Sequence, residues 1–269
     1  MVKQTVSLLD RCQRNNFESQ IPPFPSSQTN SLRYSPPGLR RLTLCVTTAT
    51  MYPAGNLLIP ASHGRLEAIL KEPRIQASGV ALVLHPHPLG GGTMHNKVVF
   101  RAAAALNDAG LITLRINFRG VGQSTGEHDE GRGELEDVRA GLDYLAESFP
   151  NHPITLCGFS FGARVGLELG ISDERVVNLI SIGTPVNKYD FSFLEAGRKP
   201  ILFVHGNRDE YGDLGRLQIL LDKLQTHTSA ELHVVNDCGH FFAGHLDELK
   251  QIITDWIKRQ LNNQLAKHD

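Results

Sequence analysis

Ile154-Thr-Leu-Cys-Gly158-Phe-Ser160-Phe-Gly162-Ala-Arg-Val-Gly-Leu-Glu-Leu169 is the stretch on which the reading of this chain turns. Ile154 to Cys157 is a short apolar run of the kind that forms a strand buried on both faces. Ala163 to Leu169 reads as a helix. Between them the chain must turn sharply, with Ser160 at the apex and a glycine two positions to either side. Those glycines relieve crowding, so the serine can take a strained backbone and lift its hydroxyl clear. This is the setting of a nucleophile. The plainer reading, a turn serine that only caps the following helix, fits the strand–turn–helix context less well.

Working outward, the same alternation repeats. Val80 to Leu84 is a β-branched apolar run followed by a glycine-rich loop, and Val98 to Leu106 is helical in period and closed by Gly110. Leu111 to Phe118 is the next strand. Gly133 to Leu145 is an amphipathic helix with Leu135, Val138, Leu142 and Leu145 on one face. Strands follow at Val176–Ile182, Ile201–Val204 and Glu231–Val235, and helices at Leu214–Leu224 and Leu246–Leu261, with an antiparallel hairpin over Leu57–Ile69 at the front. Strands alternating with helices predict a mostly parallel sheet with helices on both faces. Ligands of such sheets sit beyond the carboxyl ends of the strands. The loops after Leu84, Cys157, Val204 and Val235 are therefore where chemistry is expected.

The pattern GxSxG occurs twice, at Gly122–Gly126 and at Gly158–Gly162. With 25 glycines in the chain, a chance match is not negligible. Context separates the two. Ser124 lies several residues past its strand and is followed by the charged loop Glu127-His-Asp-Glu130, so it reads as a loop residue.

A serine nucleophile needs a base within hydrogen-bond reach and an acid that fixes the imidazole tautomer. After Val204 the chain reads His205-Gly-Asn-Arg-Asp209-Glu210, which places Asp209 at the tip of a post-strand loop. Glu210 and Asp213 are the fallback acids. After Val235 comes Asn236-Asp-Cys-Gly-His240-Phe-Phe242, and His240 lies where the base should be. Of the 12 histidines, His233 falls within a strand and His245 near a helix start, so both take the ordinary polar reading. Arg208 and Glu210 are assigned no chemistry.

The loop after Leu84 reads His85-Pro-His-Pro-Leu-Gly-Gly-Gly-Thr-Met-His-Asn96. An oxyanion hole would combine the backbone N–H of Phe161 with one from this loop. Pro86 and Pro88 have no N–H, which leaves His87 or Leu89, and His87 is favoured. A metal reading of His85, His87 and His95 is weaker. Alternate residues at a strand end point to opposite sides, and no acid or cysteine completes a ligand set. The Gly90-Gly91-Gly92 run lacks both GxGxxG and the Walker lysine pattern. No cofactor and no metal are expected.

Composition sets the outer bounds. A chain of 269 residues holds one generous core plus a tail, and 27 basic against 28 acidic residues give a net charge of -1. The basic residues are dispersed, so no nucleic-acid partner is expected. No apolar run reaches the roughly 18 residues that span a bilayer, so no membrane partner is expected either. The four cysteines Cys12, Cys45, Cys157 and Cys238 form no CxxC pair, and Cys157 and Cys238 read as reduced, buried thiols of a cytoplasmic protein. Residues 1–50 differ from the rest: rich in proline, serine and arginine, with Asp10 and Glu18 their only acids, they read as a low-order extension ahead of a domain at 51–269. Two readings of that extension stand. It has the character of an organellar transit segment, or it precedes a natural start at Met51.

Three of these stretches together resemble a known family. His85-Pro-His-Pro with Gly91-Gly-x-Met-His-Asn-Lys97, Asn117-Phe-Arg-Gly-Val-Gly-x-Ser124 and Gly158-Phe-Ser-Phe-Gly162 look like the bacterial-type α/β-hydrolases of the HPHP kind, related to dienelactone-hydrolase-like and Xaa-Pro-peptidase-like enzymes. The resemblance covers about residues 56 to 262. It implies the α/β-hydrolase fold and a serine hydrolase with Ser160, Asp209 and His240 as its triad. Only Gly183 to Lys199 separates two neighbouring strands, leaving room for a loop or a short helix around Phe191–Ala196 and for no substantial cap domain. An uncapped site favours short acyl groups, extended leaving groups and a small-molecule substrate presented from outside. Three functions stay open: a hydrolase of carboxylic esters or thioesters, a peptidase that would hold a substrate amine with Glu210 or Asp213, and a non-catalytic binding protein on this fold. The oligomeric state is not legible.

Overall fold

The computed structural model describes residues 55–266. The extension at 1–50, Cys12, Cys45 and Met51 lie outside the described residues. Eight strands form one sheet: β1 (Gly55–Ala61), β2 (Gly64–Lys71), β3 (Gly79–Leu84), β4 (Leu111–Ile116), β5 (Ile154–Phe159), β6 (Val176–Ile182), β7 (Ile201–Gly206) and β8 (Ala230–Val235). Their order across the sheet is β1-β2-β4-β3-β5-β6-β7-β8. The expected hairpin is β1–β2, which pairs antiparallel; β2 also runs antiparallel to β4, and every later pairing is parallel.

Four α-helices connect strands, α1 (Lys97–Asp108), α2 (Arg132–Ser148), α3 (Phe161–Gly170) and α4 (Leu214–Leu224), and α5 (Leu246–Leu265) follows β8. All six residues of β3, of β5 and of β7 are buried, as strands covered on both faces require. Side chains alternate across β3. Val80, Leu82 and Leu84 join the layer with Val138 and Leu142 of α2 and Val165 of α3, whereas Ala81 and Val83 join the layer with Val98 and Ala102 of α1 and Ile253 and Trp256 of α5. Burial at about 25 cal/mol per Å² of apolar surface stabilises both layers. Trp256 is fully buried and still satisfies its indole N–H, which donates to Glu231 Oε1 at 3.0 Å.

The segment from Gly183 to Pro200 contains a single 3₁₀ turn, Ser192–Ala196. Among the described residues no cap domain rises over the carboxyl edge of the sheet, and no helix is long and apolar enough to cross a membrane.

Candidate active site

The turn after β5 explains its own glycines. Ser160 sits at φ 56° and ψ -115°, a left-handed conformation that costs a non-glycine residue about 1–3 kcal/mol. A Cβ on Gly158 would lie 2.3 Å from the carbonyl oxygen of Gly162, and one on Gly162 would lie 2.5 Å from that of His85. Backbone atoms cannot yield as a side-chain tip can, so both positions require glycine. The Ser160 N–H donates to Ile182 O at 2.9 Å, tying the strained apex to the end of β6.

Residues distant in sequence meet there. Ser160 Oγ lies 2.9 Å from His240 Nε2, and His240 Nδ1 lies 2.8 Å from Asp209 Oδ2. The carboxylate can only accept, so Nδ1 carries the proton and Nε2 is left to accept from the serine hydroxyl. Asp209 is anchored in turn: its Oδ1 accepts from the N–H of Tyr211 at 2.8 Å and of Gly212 at 3.2 Å. The His240 ring is held between Phe159, at 5.0 Å between centroids, and Tyr211, at 4.5 Å. Such a chain can remove a proton from the serine and return it to a leaving group.

The fallback acids take other places. Glu210 is exposed, and Asp213 caps α4, its Oδ1 accepting from Arg216 N–H at 2.9 Å. His245 and His233 sit beside Glu248 and Glu231, away from Ser160. Ser124 is a buried loop residue: its Oγ donates to Asn117 O at 2.7 Å and accepts from Glu67 N–H at 2.9 Å.

The loop after β3 separates its histidines, as the strand-end alternation predicted. His85 is buried, donates from Nδ1 to Pro86 O at 2.6 Å and accepts at Nε2 from Phe118 N–H at 3.0 Å. Both partners demand a neutral ring, and burial lowers its pKa to about 4. The part His85 plays in joining two loops was missed by sequence reasoning, which weighed it only as a metal ligand; a histidine at the end of a buried apolar strand, followed by Pro86, was the available signal.

His87 lies in the pocket wall instead, its ring 4.9 Å from that of Phe161 and 4.7 Å from that of His128. Burial lowers its pKa, and the neighbouring His128 and Lys188 push the same way against Glu134. Glu134 itself is fully buried near the start of α2, where it accepts from His128 Nδ1 at 2.7 Å and Gly131 N–H at 2.8 Å. Periodicity alone puts Glu134 on an amphipathic helix and gives no sign of this role.

The Leu89 N–H is engaged by His87 Nδ1 at 3.2 Å. Among the described residues, no hydrogen bond engages the N–H of His87 or that of Phe161. The pocket above Ser160 has a volume of about 390 Å³, and His87, Phe161, Tyr189, Tyr211 and His240 are among the residues that line it.

A family model described as the alpha/beta hydrolase fold matches residues 82–196. An uncharacterised protein of Rickettsia prowazekii is 38% identical, over 72% of this chain and 85% of that protein. The structure of an alpha-beta serine hydrolase homologue from Coxiella burnetii is 36% identical, with a TM-score of 0.72, covering 76% of this chain and 98% of that one. The chain belongs to the α/β-hydrolase family. A further relative of this α/β-hydrolase, at 33% identity and TM-score 0.72 over 78% of this chain and 96% of the other, is a protein of Xanthomonas campestris described as an a/b serine hydrolase without lid. In this α/β-hydrolase, too, the segment after β6 forms no lid.

Proposed function

We propose that this α/β-hydrolase is a serine hydrolase that cleaves carboxylic esters or thioesters of small acyl groups through an acyl-enzyme. The observation that carries the reading is the unbroken chain from Ser160 Oγ through His240 to Asp209, at 2.9 and 2.8 Å, opening onto the pocket. Ser160 Oγ attacks the carbonyl carbon while His240 Nε2 takes its proton. The resulting oxyanion lies beside the unengaged N–H groups of Phe161 and His87. His240 then returns the proton to the departing alkoxide or thiolate. Water, deprotonated by the same ring, hydrolyses the acyl-serine. Asp209 keeps the required tautomer and offsets the imidazolium charge.

The open edge suits extended leaving groups, with Leu89 and Phe241 exposed at its rim. No cofactor, nucleic acid or membrane enters this scheme; the partner is a small-molecule substrate. The buried free thiols of Cys157 and Cys238 support a reducing, cytoplasmic setting. The peptidase reading has less support, since neither Glu210 nor Asp213 lines the pocket. A binding protein would have no physical need for Ser160, His240 and Asp209 together.

A fluorophosphonate probe is expected to label the wild type and not Ser160→Ala, and short-chain p-nitrophenyl esters to be cleaved faster than peptide nitroanilides. Absence of both labelling and ester cleavage would overturn the proposal.

A further inference from the structure

We infer that the pocket selects substrates carrying a carboxylate, and that Lys188 is the residue that binds it. The inference rests on the hydrolase reading above and names its substrate class. Lys188 is the only lysine, arginine, aspartate or glutamate among the residues lining the pocket. No acid among the described residues forms an ion pair with it. Its Nζ stands instead over the ring of Tyr211, 4.1 Å from the centroid, and that ring lies against His240, 4.5 Å between centroids and tilted by 55°. A single aromatic ring therefore separates the ammonium from the catalytic imidazole.

The backbone builds this position. Lys188 N–H donates to Pro185 O at 3.0 Å, closing a turn just after β6. The neighbouring Asn187 N–H donates to Tyr211 O at 3.2 Å, which ties that turn to the loop carrying Asp209 and Tyr211. Across the pocket the charge is felt at His87, whose protonation Lys188 disfavours. An ammonium facing a pocket without a carboxylate attracts an anion and repels an amine. This also argues against substrates that present a free amino group.

The test compares matched esters in two arms. In the first, mono-p-nitrophenyl glutarate is set against p-nitrophenyl pentanoate, so the carboxylate rides on the acyl half. In the second, the butyrate ester of 4-hydroxybenzoate is set against that of its methyl ester, so the carboxylate rides on the leaving group. In at least one arm the wild type is expected to favour the anionic ester about tenfold in kcat/KM, the scale of one charge-assisted contact. The ratio should fall to near parity in Lys188→Met, persist in Lys188→Arg and invert in Lys188→Glu.

Ser160-dependent cleavage with no anionic preference, or a preference that survives Lys188→Met, overturns the anion site and leaves the hydrolase reading standing. Failure to cleave any ester, with Ser160 unlabelled by a fluorophosphonate, overturns both. If labelling proceeds without turnover, labelling rates of neutral and carboxylate-bearing fluorophosphonates decide by the same ratios.

Discussion

Gly122-Gln-Ser124-Thr-Gly126 and Gly158-Phe-Ser160-Phe-Gly162 spell one pattern and obey different physics. Ser124 is buried, and both hydrogen-bonding directions of its hydroxyl are satisfied by backbone groups at Asn117 and Glu67. It fastens the end of β4 to β2. Ser160 is strained at φ 56°, and its hydroxyl meets a side chain, His240, at the floor of a pocket. A serine with only backbone partners fastens loops; a serine on a strained turn, beside an imidazole nitrogen, has the geometry the proposed nucleophile requires. The difference teaches that the regular expression records glycine spacing, whereas the role follows from what the hydroxyl can reach.

The comparison breaks most sharply at Ser160, the proposed nucleophile. Ser160→Ala is expected to lower kcat by about 10⁴–10⁶-fold while shifting the urea midpoint little, since the hydrogen bond to His240 is the contact alanine gives up and one such bond is worth only about 1 kcal/mol. Ester hydrolysis and denaturation curves on the same sample check both halves. Asp209→Asn comes next. It keeps the loop but favours the wrong imidazole tautomer, and kcat should fall by about 10⁴-fold with folding retained by circular dichroism.

His85 links the two regions, because it bonds both the loop facing the Ser160 turn and the backbone at Phe118 before Ser124. Its pKa is lowered from 6.5 to about 4 in the folded protein. Between those values the unfolded chain binds the proton and the folded one does not, so stability is full above pH 6.5 and declines as pH falls toward 4. The loss should reach about 3 kcal/mol by the lower value, because binding one extra proton in the unfolded chain costs the fold roughly 1.4 kcal/mol for each pH step crossed. Urea titrations across that range would show it, and His85→Gln should flatten the dependence.

The smallest effect falls on the second serine. Ser124→Ala leaves a buried backbone carbonyl and N–H without their partner, costing about 1–3 kcal/mol, yet the folded fraction should keep its kcat. A loss of kcat to match Ser160→Ala would erase the distinction between the two serines.

Much of the fold was legible because parallel strands buried on both faces are continuous apolar runs and their helices carry a 3.6-residue period. The front hairpin, the eight strands and the missing cap all follow from such local signals. Helix ends were less legible: α2 begins at Arg132 and α3 at Phe161, each ahead of its apolar period, because a capping carboxylate and the strained turn set those starts. Ser160, Asp209 and His240 were found through their positions after β5, β7 and β8, and the structure brings those three together. Lys188, Tyr211 and His128 had no such signal. A lone lysine in a loop looks like any solvated charge until the fold sets it beside a pocket.

By itself, then, the sequence determined the order of strands and helices and the need for glycine around Ser160, and it pointed to Asp209 and His240 as the proposed acid and base, since each of these depends on neighbours in the chain. The tertiary structure decided what depends on distances across the sheet. It set His240 at 2.9 Å from Ser160, turned His85 into a neutral link and left Lys188 as the pocket's one fixed charge. Chain connectivity constrains a turn within a few residues, but the field inside a pocket is the sum of groups that only folding brings together.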